Sequence, residues 1–249
     1  MRKPYSSIGL IGLGAFGRLI HHHLSPYFSI DAYDPSPQAH SYAKRHNIDL
    51  NSIEVVASHD IVIIATPVHT LKSVCAEISP YLPHRGLVID VASVKLKPSL
   101  WMQDILPQRV DILCTHPLFG PQSTKRGLYD HEIVLCPIRI RRLSPIIRFL
   151  ETELQLKVSV TTPEDHDKAL AAVQGLTHLI AKVLSGLGDL PVEHTTRSYD
   201  LMMEGLAMVS GDSDELFMAI ERDNPYAPDL RKRFFAQIEA LRNTLDQNN

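Results

Sequence analysis

The chain is short of cysteine, nearly balanced in charge and without an apolar run of membrane length. Each shortage removes a class of function. Its three cysteines, Cys75, Cys114 and Cys136, are an odd number without metal-ligand spacing. That excludes a disulfide-stapled framework and points to a reduced, cytoplasmic setting. A formal net charge of −3 over 249 residues gives no electrostatic reason to expect nucleic acid or an anionic membrane as partner. The longest apolar runs, such as Ile61–Ala65, are of strand length and far short of a membrane span. No signal-type apolar segment precedes the first strand candidate, and no internal repeat or low-complexity segment interrupts the chain. Thirteen histidines include the run His21-His22-His23, but consecutive helical residues point in different directions, so no metal site is expected.

What is present is a core-forming composition, 44% hydrophobic, arranged in short runs. Strands are expected at Ser7–Ile11, Ser29–Tyr33, Asp60–Ala65, Leu87–Val91, Val110–Thr115, Glu132–Cys136 and Lys157–Val160. Helices are expected at Ala15–Leu24, Gln38–His46 and Val68–Ile78. Apolar strands that alternate with helices imply an α/β fold, a mostly parallel sheet covered on both faces. The pattern changes at Thr161-Thr162-Pro163-Glu164-Asp165, which reads as a helix start: Thr162 as N-cap, Pro163 at the first position, acids in the first turn. Beyond it only helices are expected, over residues 195–209, 213–221 and 227–245, after an amphipathic one through Leu170, Val173, Thr177, Ile180, Leu184 and Leu187. The boundary therefore separates residues 1–161 from an all-helical domain, 162–249. So small a helical domain is expected to complete its core against a second subunit, as a homodimer.

Gly12-Leu13-Gly14-Ala15-Phe16-Gly17 joins the first strand to the first helix, and Asp34 ends the next strand 22 residues after Gly12. This is the dinucleotide-binding fingerprint of a Rossmann-type domain. Gly12 permits the tight turn, Gly14 lets the backbone approach a pyrophosphate, and Gly17 lets helix and strand pack closely. Ala15 and Phe16 open the helix whose free N–H groups face the phosphates. Asp34 can accept hydrogen bonds from ribose hydroxyls and would repel a 2′-phosphate, which favours NAD over NADP. Ligands in such sheets bind beyond the carboxyl ends of the strands, so Thr66, Pro67 and Val68 should edge the cofactor. A threonine and proline there equally suit a plain helix start.

Two further strand ends carry polar groups. Ser93 and Lys95 follow Val88-Ile-Asp-Val-Ala, and His116 follows Asp111-Ile-Leu-Cys-Thr. A hydride-transferring enzyme needs a base for the hydroxyl proton, and histidine titrates in the right range. A nearby serine can orient that base or share the substrate hydroxyl.

The segments GLIGLGAFGRL, VIDVASVK, DILCTHPLFGPQS and EDHDKALAAVQGLTHLIA together resemble the prephenate/arogenate dehydrogenase family of tyrosine biosynthesis. DILCTHPLFGP and the stretch from Ser198-Tyr199 to Ala219 are similar to its plant arogenate dehydrogenase branch. The resemblance implies a Rossmann domain with a helical dimerisation domain, and oxidative decarboxylation of a cyclohexadienol whose ring becomes aromatic. It implies His116 as the base on the ring hydroxyl, Ser93 as a second partner of that hydroxyl, and His178 as a substrate-pocket histidine. One departure stands out: many bacterial members place an arginine for the ring carboxylate where this chain has Ala207. Arg197, Arg222 and Lys125 are the candidate substitutes. The residue after His-Pro-x-Phe-Gly-Pro is often acidic in relatives and is tied to the choice between a keto substrate and its amino counterpart. Here it is Gln122, followed by Ser123. A neutral amide donates to a keto oxygen but does not hold an ammonium as a carboxylate does. The expected substrate is prephenate, with arogenate as the alternative and a non-catalytic NAD-binding regulator as a third reading. A β-hydroxyacid dehydrogenase would want a lysine four residues after Gly175, where this chain has Leu179.

Overall fold

A computed structural model of the chain describes residues 7–188 and 192–247. Two compact units emerge, Met1–Pro163 and Glu164–Asn249. The first contains strands β1 (Ser7–Ile11), β2 (Ser29–Tyr33), β3 (Ile61–Ile64), β4 (Leu87–Asp90), β5 (Asp111–Pro117), β6 (Glu132–Arg139) and β7 (Lys157–Val160). Its helices are α1 (Ala15–Leu24), α2 (Pro37–His46), α3 (Ile53–Ala57), α4 (Val68–Ile78), α5 (Leu96–Ile105) and α6 (Ser144–Thr152).

The strands form one sheet in the order β2-β1-β3-β4-β5-β6-β7, parallel throughout except at the β5–β6 pair. Placing β2 and β3 on opposite sides of β1 creates a crevice at the carboxyl end of β1, where such folds bind ligands. The strands alternate their side chains between two apolar layers. In β5, Ile112 and Cys114 join the layer under α3, α4 and α5, while Leu113 joins the layer shared with α2 and the inner sides of α1 and α6. Burial on both faces explains why these strands lack polar alternation.

Two features depart from the sequence expectation. Strand β5 does not stop before His116 but runs through it to Pro117, because β6 returns antiparallel alongside and pairs His116 with Val134. An antiparallel return needs only a loop, residues 118–131, where a parallel one would need a crossover. Helices α3, α5 and α6 were not anticipated: they are short, and tertiary packing rather than propensity holds such helices.

The second unit is helical: α7 (Pro163–Leu170), α8 (Leu176–Ser185), α9 (Arg197–Ala207), α10 (Asp214–Met218) and α11 (Ala227–Asp246). Two π-helical segments, Ala171–Gly175 and Ala219–Asp223, continue α7 and α10 and pack against each other. Along α11 an apolar stripe runs through Leu230, Phe234, Ile238 and Leu241; the first two are half-buried, while Ile238 and Leu241 are 46% and 60% exposed. No helix among the described residues is long and apolar enough to cross a membrane.

Candidate active site at the carboxyl edge of the sheet

The three glycines of the first turn have distinct physical roles. Gly12 has φ +97°, and a side chain there would stand 2.5 Å from the carbonyl oxygen of Ala65. Its N–H donates to Tyr33 O at 2.8 Å, tying the turn to β2. A Cβ on Gly17 would lie 2.0 Å from Gly12 O, so only glycine lets α1 come this close to the turn. A Cβ on Gly14 would meet nothing within 4 Å, so the space above it is open. Gly14 is the N-cap of α1 and makes no side-chain cap, which leaves the N–H groups at Ala15 and Phe16 facing that space.

Asp34 is anchored from both sides. Its Oδ2 accepts the Leu13 N–H at 2.7 Å and its Oδ1 the Ser36 N–H at 2.8 Å. Partial burial is the largest single influence and raises its pKa. The hydrogen bonds from Leu13 and Ser36, with a smaller contribution from His40, outweigh it and hold the carboxyl below its ordinary range. The group is therefore a carboxylate that braces the glycine turn, with one further lone pair on each oxygen for a ribose hydroxyl.

Across the crevice, Thr66 and Pro67 lead from β3 into α4, which starts at Val68. Thr66 Oγ1 is buried without a hydrogen-bond partner. A buried orphan hydroxyl beside an open glycine turn fits a polar ligand lying between them. The residues present thus suit a dinucleotide.

The next two strand ends carry Ser93 and His116, 9% and 4% exposed. Register sets their height: Asp90 pairs with Cys114, so Ser93 lies three residues beyond that rung and His116 two. Both therefore sit at the same edge as the glycine turn. The loop after β5 follows. Ser123 Oγ accepts the Gly120 N–H at 3.0 Å and donates to Gly120 O, closing the turn, whereas Gln122 is exposed.

Sequence reasoning singled out Lys95 without seeing its partner. Lys95 is fully buried and ion-pairs with Asp90 at the end of β4, and it donates to Thr115 O at 2.6 Å. Thr115 Oγ1 returns a bond to Asp90 O at 2.8 Å. The pair clamps the ends of β4 and β5 immediately behind Ser93 and His116. A buried charge pair of this kind is weak evidence for stability but fixes geometry. The signal in the sequence was an aspartate and a lysine five apart inside an otherwise apolar run. Burial, reinforced by the Asp90 charge, pushes the neighbouring Cys114 thiol well up, so it is no nucleophile.

In the helical unit His178 is buried, with Nδ1 at 2.9 Å from Gln174 O and Nε2 at 3.0 Å from Asp212 Oδ2. A carbonyl and a carboxylate can only accept, so this geometry favours a proton on both ring nitrogens. Burial alone lowers its pKa. The bonds to Asp212 and Gln174 reverse that and raise it. Nearby, Arg231 donates to the backbone and carboxylate oxygens of buried Glu221, 2.7 Å each. Sequence reasoning missed both Asp212 and this pair, because their partners lie ten to 34 residues away. Arg197 is exposed at the start of α9, with Glu204 at 3.8 Å, and Arg222 is exposed in the second π-helical segment.

A glycine turn braced by an acid, facing an orphan hydroxyl at a switch point, defines a dinucleotide-binding domain of the Rossmann class. The chain belongs to the prephenate dehydrogenase family: the family model for the prephenate dehydrogenase nucleotide-binding domain matches residues 18–160. Among curated relatives, a probable arogenate/prephenate dehydrogenase of Methanocaldococcus jannaschii is 29% identical over 202 residues, 77% of this chain and 45% of that protein. Chloroplastic arogenate dehydrogenase 1 of Arabidopsis thaliana is 29% identical over 251 residues, 96% of this chain and 39% of that one. The chain thus spans less than half the length of these two relatives. In fold it is similar to a prephenate dehydrogenase from A. aeolicus solved with hydroxyphenyl propionate and NAD+, with TM-score 0.79 and 20% identity over 100% of this chain and 93% of that one.

Proposed function

We propose that the protein is an NAD-dependent dehydrogenase that converts prephenate to 4-hydroxyphenylpyruvate by oxidative decarboxylation. The observation that carries this reading is the convergence of the glycine turn, Ser93 and His116 on one sheet edge, in a chain of this family. Gly12, Gly14, Ala15, Phe16 and Gly17 would hold the pyrophosphate, Asp34 the ribose, and Thr66 to Val68 the far wall. The cofactor, when bound, supplies the hydride acceptor. His116 takes the proton of the ring hydroxyl through an imidazole whose direction the strand fixes, and Ser93 steadies that oxygen. Aromatisation of the ring drives the reaction, so the protein's own work is positioning and charge placement. His178, hydrogen-bonded to Asp212 within the helical unit, is the substrate-binding histidine that the family resemblance implies. Lys125, exposed three residues beyond Gln122, is with Arg197 and Arg222 a candidate cation for the ring carboxylate in place of an arginine at 207. The uncovered apolar faces of the helical unit, Ile238 and Leu241 among them, support a homodimer.

The choice of prephenate rests on Gln122. Its side chain is exposed, and neutral, and suits a keto group better than an ammonium. The arogenate relatives are the specific observation favouring the second reading. The test is kcat/KM for prephenate and arogenate, each with NAD and NADP, in the wild type and Gln122→Glu. The expected result is a wild-type preference for prephenate with NAD and a shift of roughly tenfold or more towards arogenate in the variant, since placing an anion beside an ammonium is worth more than about 1.4 kcal/mol. A wild type that prefers arogenate would sink the argument from Gln122.

A further inference from the structure

We propose that the first unit carries a second ligand site, an apolar cavity between α1, α6 and one sheet face that binds a small aromatic molecule. Its volume is about 490 Å³, within the range of small-molecule pockets. The inference does not depend on the reaction assigned above.

The cavity arises from topology. A parallel sheet needs helices on both faces. On this face α1 and α6 lie apart, and the carboxyl halves of β4 and β5 between them are left without a covering helix. Ile89 and Val91, in the middle of the sheet, are consequently only half-buried. Helix α6 has a strongly one-sided apolar pattern, yet none of its residues is fully buried. Its Ile146, Phe149 and Leu150 face the gap. Side chains beside an unfilled space lose dispersion contacts that an occupant would restore.

The lining states the chemistry of the occupant. The chain has only seven phenylalanines, and four of them, Phe16, Phe28, Phe119 and Phe149, line this one cavity, with Tyr27 beside them. Phe149 meets Tyr27 and Phe28 edge-on, with ring centroids 5.2 and 5.3 Å apart, the arrangement into which a further ring fits. Polar groups are few. The Thr115 hydroxyl already donates to Asp90 O and the Tyr27 hydroxyl to Glu153 O. Besides these the lining holds His23 and Glu153, and its remaining side chains are apolar, so the site favours an uncharged aromatic ring.

Two of the lining rings belong to the machinery of the sheet edge. Phe16 lies within the glycine turn and Phe119 on the loop after His116, and the two rings are 6.3 Å apart. An occupant therefore presses on both loops, and occupancy should be felt at the dinucleotide site.

The test uses the full chain with indole and p-cresol as probes. Ring-proton NOEs to the methyls of Ile89, Val91 and Leu150, saturating with one site, are expected in the wild type. Leu150→Trp and Ile146→Phe, which fill the cavity, should each weaken probe binding at least tenfold. Saturating p-cresol should change the NAD dissociation constant at least threefold in the wild type and leave it unchanged in Leu150→Trp. NOEs to other regions, binding that does not saturate, or filled variants that bind like the wild type would overturn the site. If a filled variant does not fold, the wild-type NOE map decides alone. An NAD affinity indifferent to p-cresol overturns the coupling.

Discussion

The two units solve the same physical problem to different degrees. The sheet unit buries apolar side chains on both faces, and its buried charges, Lys95 with Asp90, are locked between strand ends. The helical unit leaves large apolar side chains in water, among them Leu187, Met208, Leu241 and Leu245 at 57–62% exposure. Its fixed points are instead polar: the His178–Asp212 pair, with His178 in α8, and the Glu221–Arg231 pair, with Glu221 in the second π-helical segment. The contrast teaches that a small helical unit can be specified by a few polar contacts while many of its large apolar side chains stay exposed. The sheet unit has no such slack at its glycine turn, where a Cβ on Gly12 or Gly17 would run into backbone.

The sharpest test of that division is His116→Ala. If chemistry and dinucleotide binding are separate properties of the sheet edge, kcat falls by about a thousandfold or more, within the range attributed to a positioned base together with its orientation of the hydroxyl. The NAD affinity, read by fluorescence titration, stays within about twofold. Loss of both together would mean that the edge is not divided in this way. Next in size is Gly12→Ala. A Cβ there meets Ala65 O in a left-handed backbone, which should cost roughly 3 kcal/mol and abolish NAD binding. Urea denaturation compares its stability with that of Gly14→Ala, where the space is open and only binding should suffer. Equal destabilisation by the two would show that the turn has slack after all.

The smallest effect belongs to the helical unit. His178 has a raised pKa in the folded state, so its bond to Asp212 stabilises fully below the unfolded value of 6.5 and is lost as pH rises through the folded value. Thermal midpoints recorded from pH 5.5 to 9 should therefore fall with rising pH in that window. In Asp212→Asn, which removes the carboxylate that raises the pKa, this fall should shrink. A pH profile identical in the two proteins would mean that His178 is not held as a cation.

Much of the sheet unit was legible because its signals are local. An apolar strand leads into a glycine turn, an acid follows at the next strand end 22 residues after Gly12, and each type has one dominant physical reason to be there. His116 was legible for the same reason, although the strand proved to run through it: proline after histidine suggested an end, and only the return of β6 alongside shows that β5 continues. The helical unit was harder to read. The π-helical segments have no sequence signature, and Asp212 announces itself only through the His178 that it meets across 34 residues.

By itself, then, the sequence determined the order of the strands, the dinucleotide turn, and the candidate base and serine near strand ends, because hydrophobic period and backbone conformational limits act over a few residues. Only the tertiary structure decided the rest. The antiparallel β6 brought the loop of Gln122 back over the edge. The Lys95–Asp90 clamp, the carboxylate that raises the His178 pKa and the aromatic cavity between α1 and α6 all depend on which distant segments come to share a face. That is decided by packing, which acts between residues the chain keeps far apart.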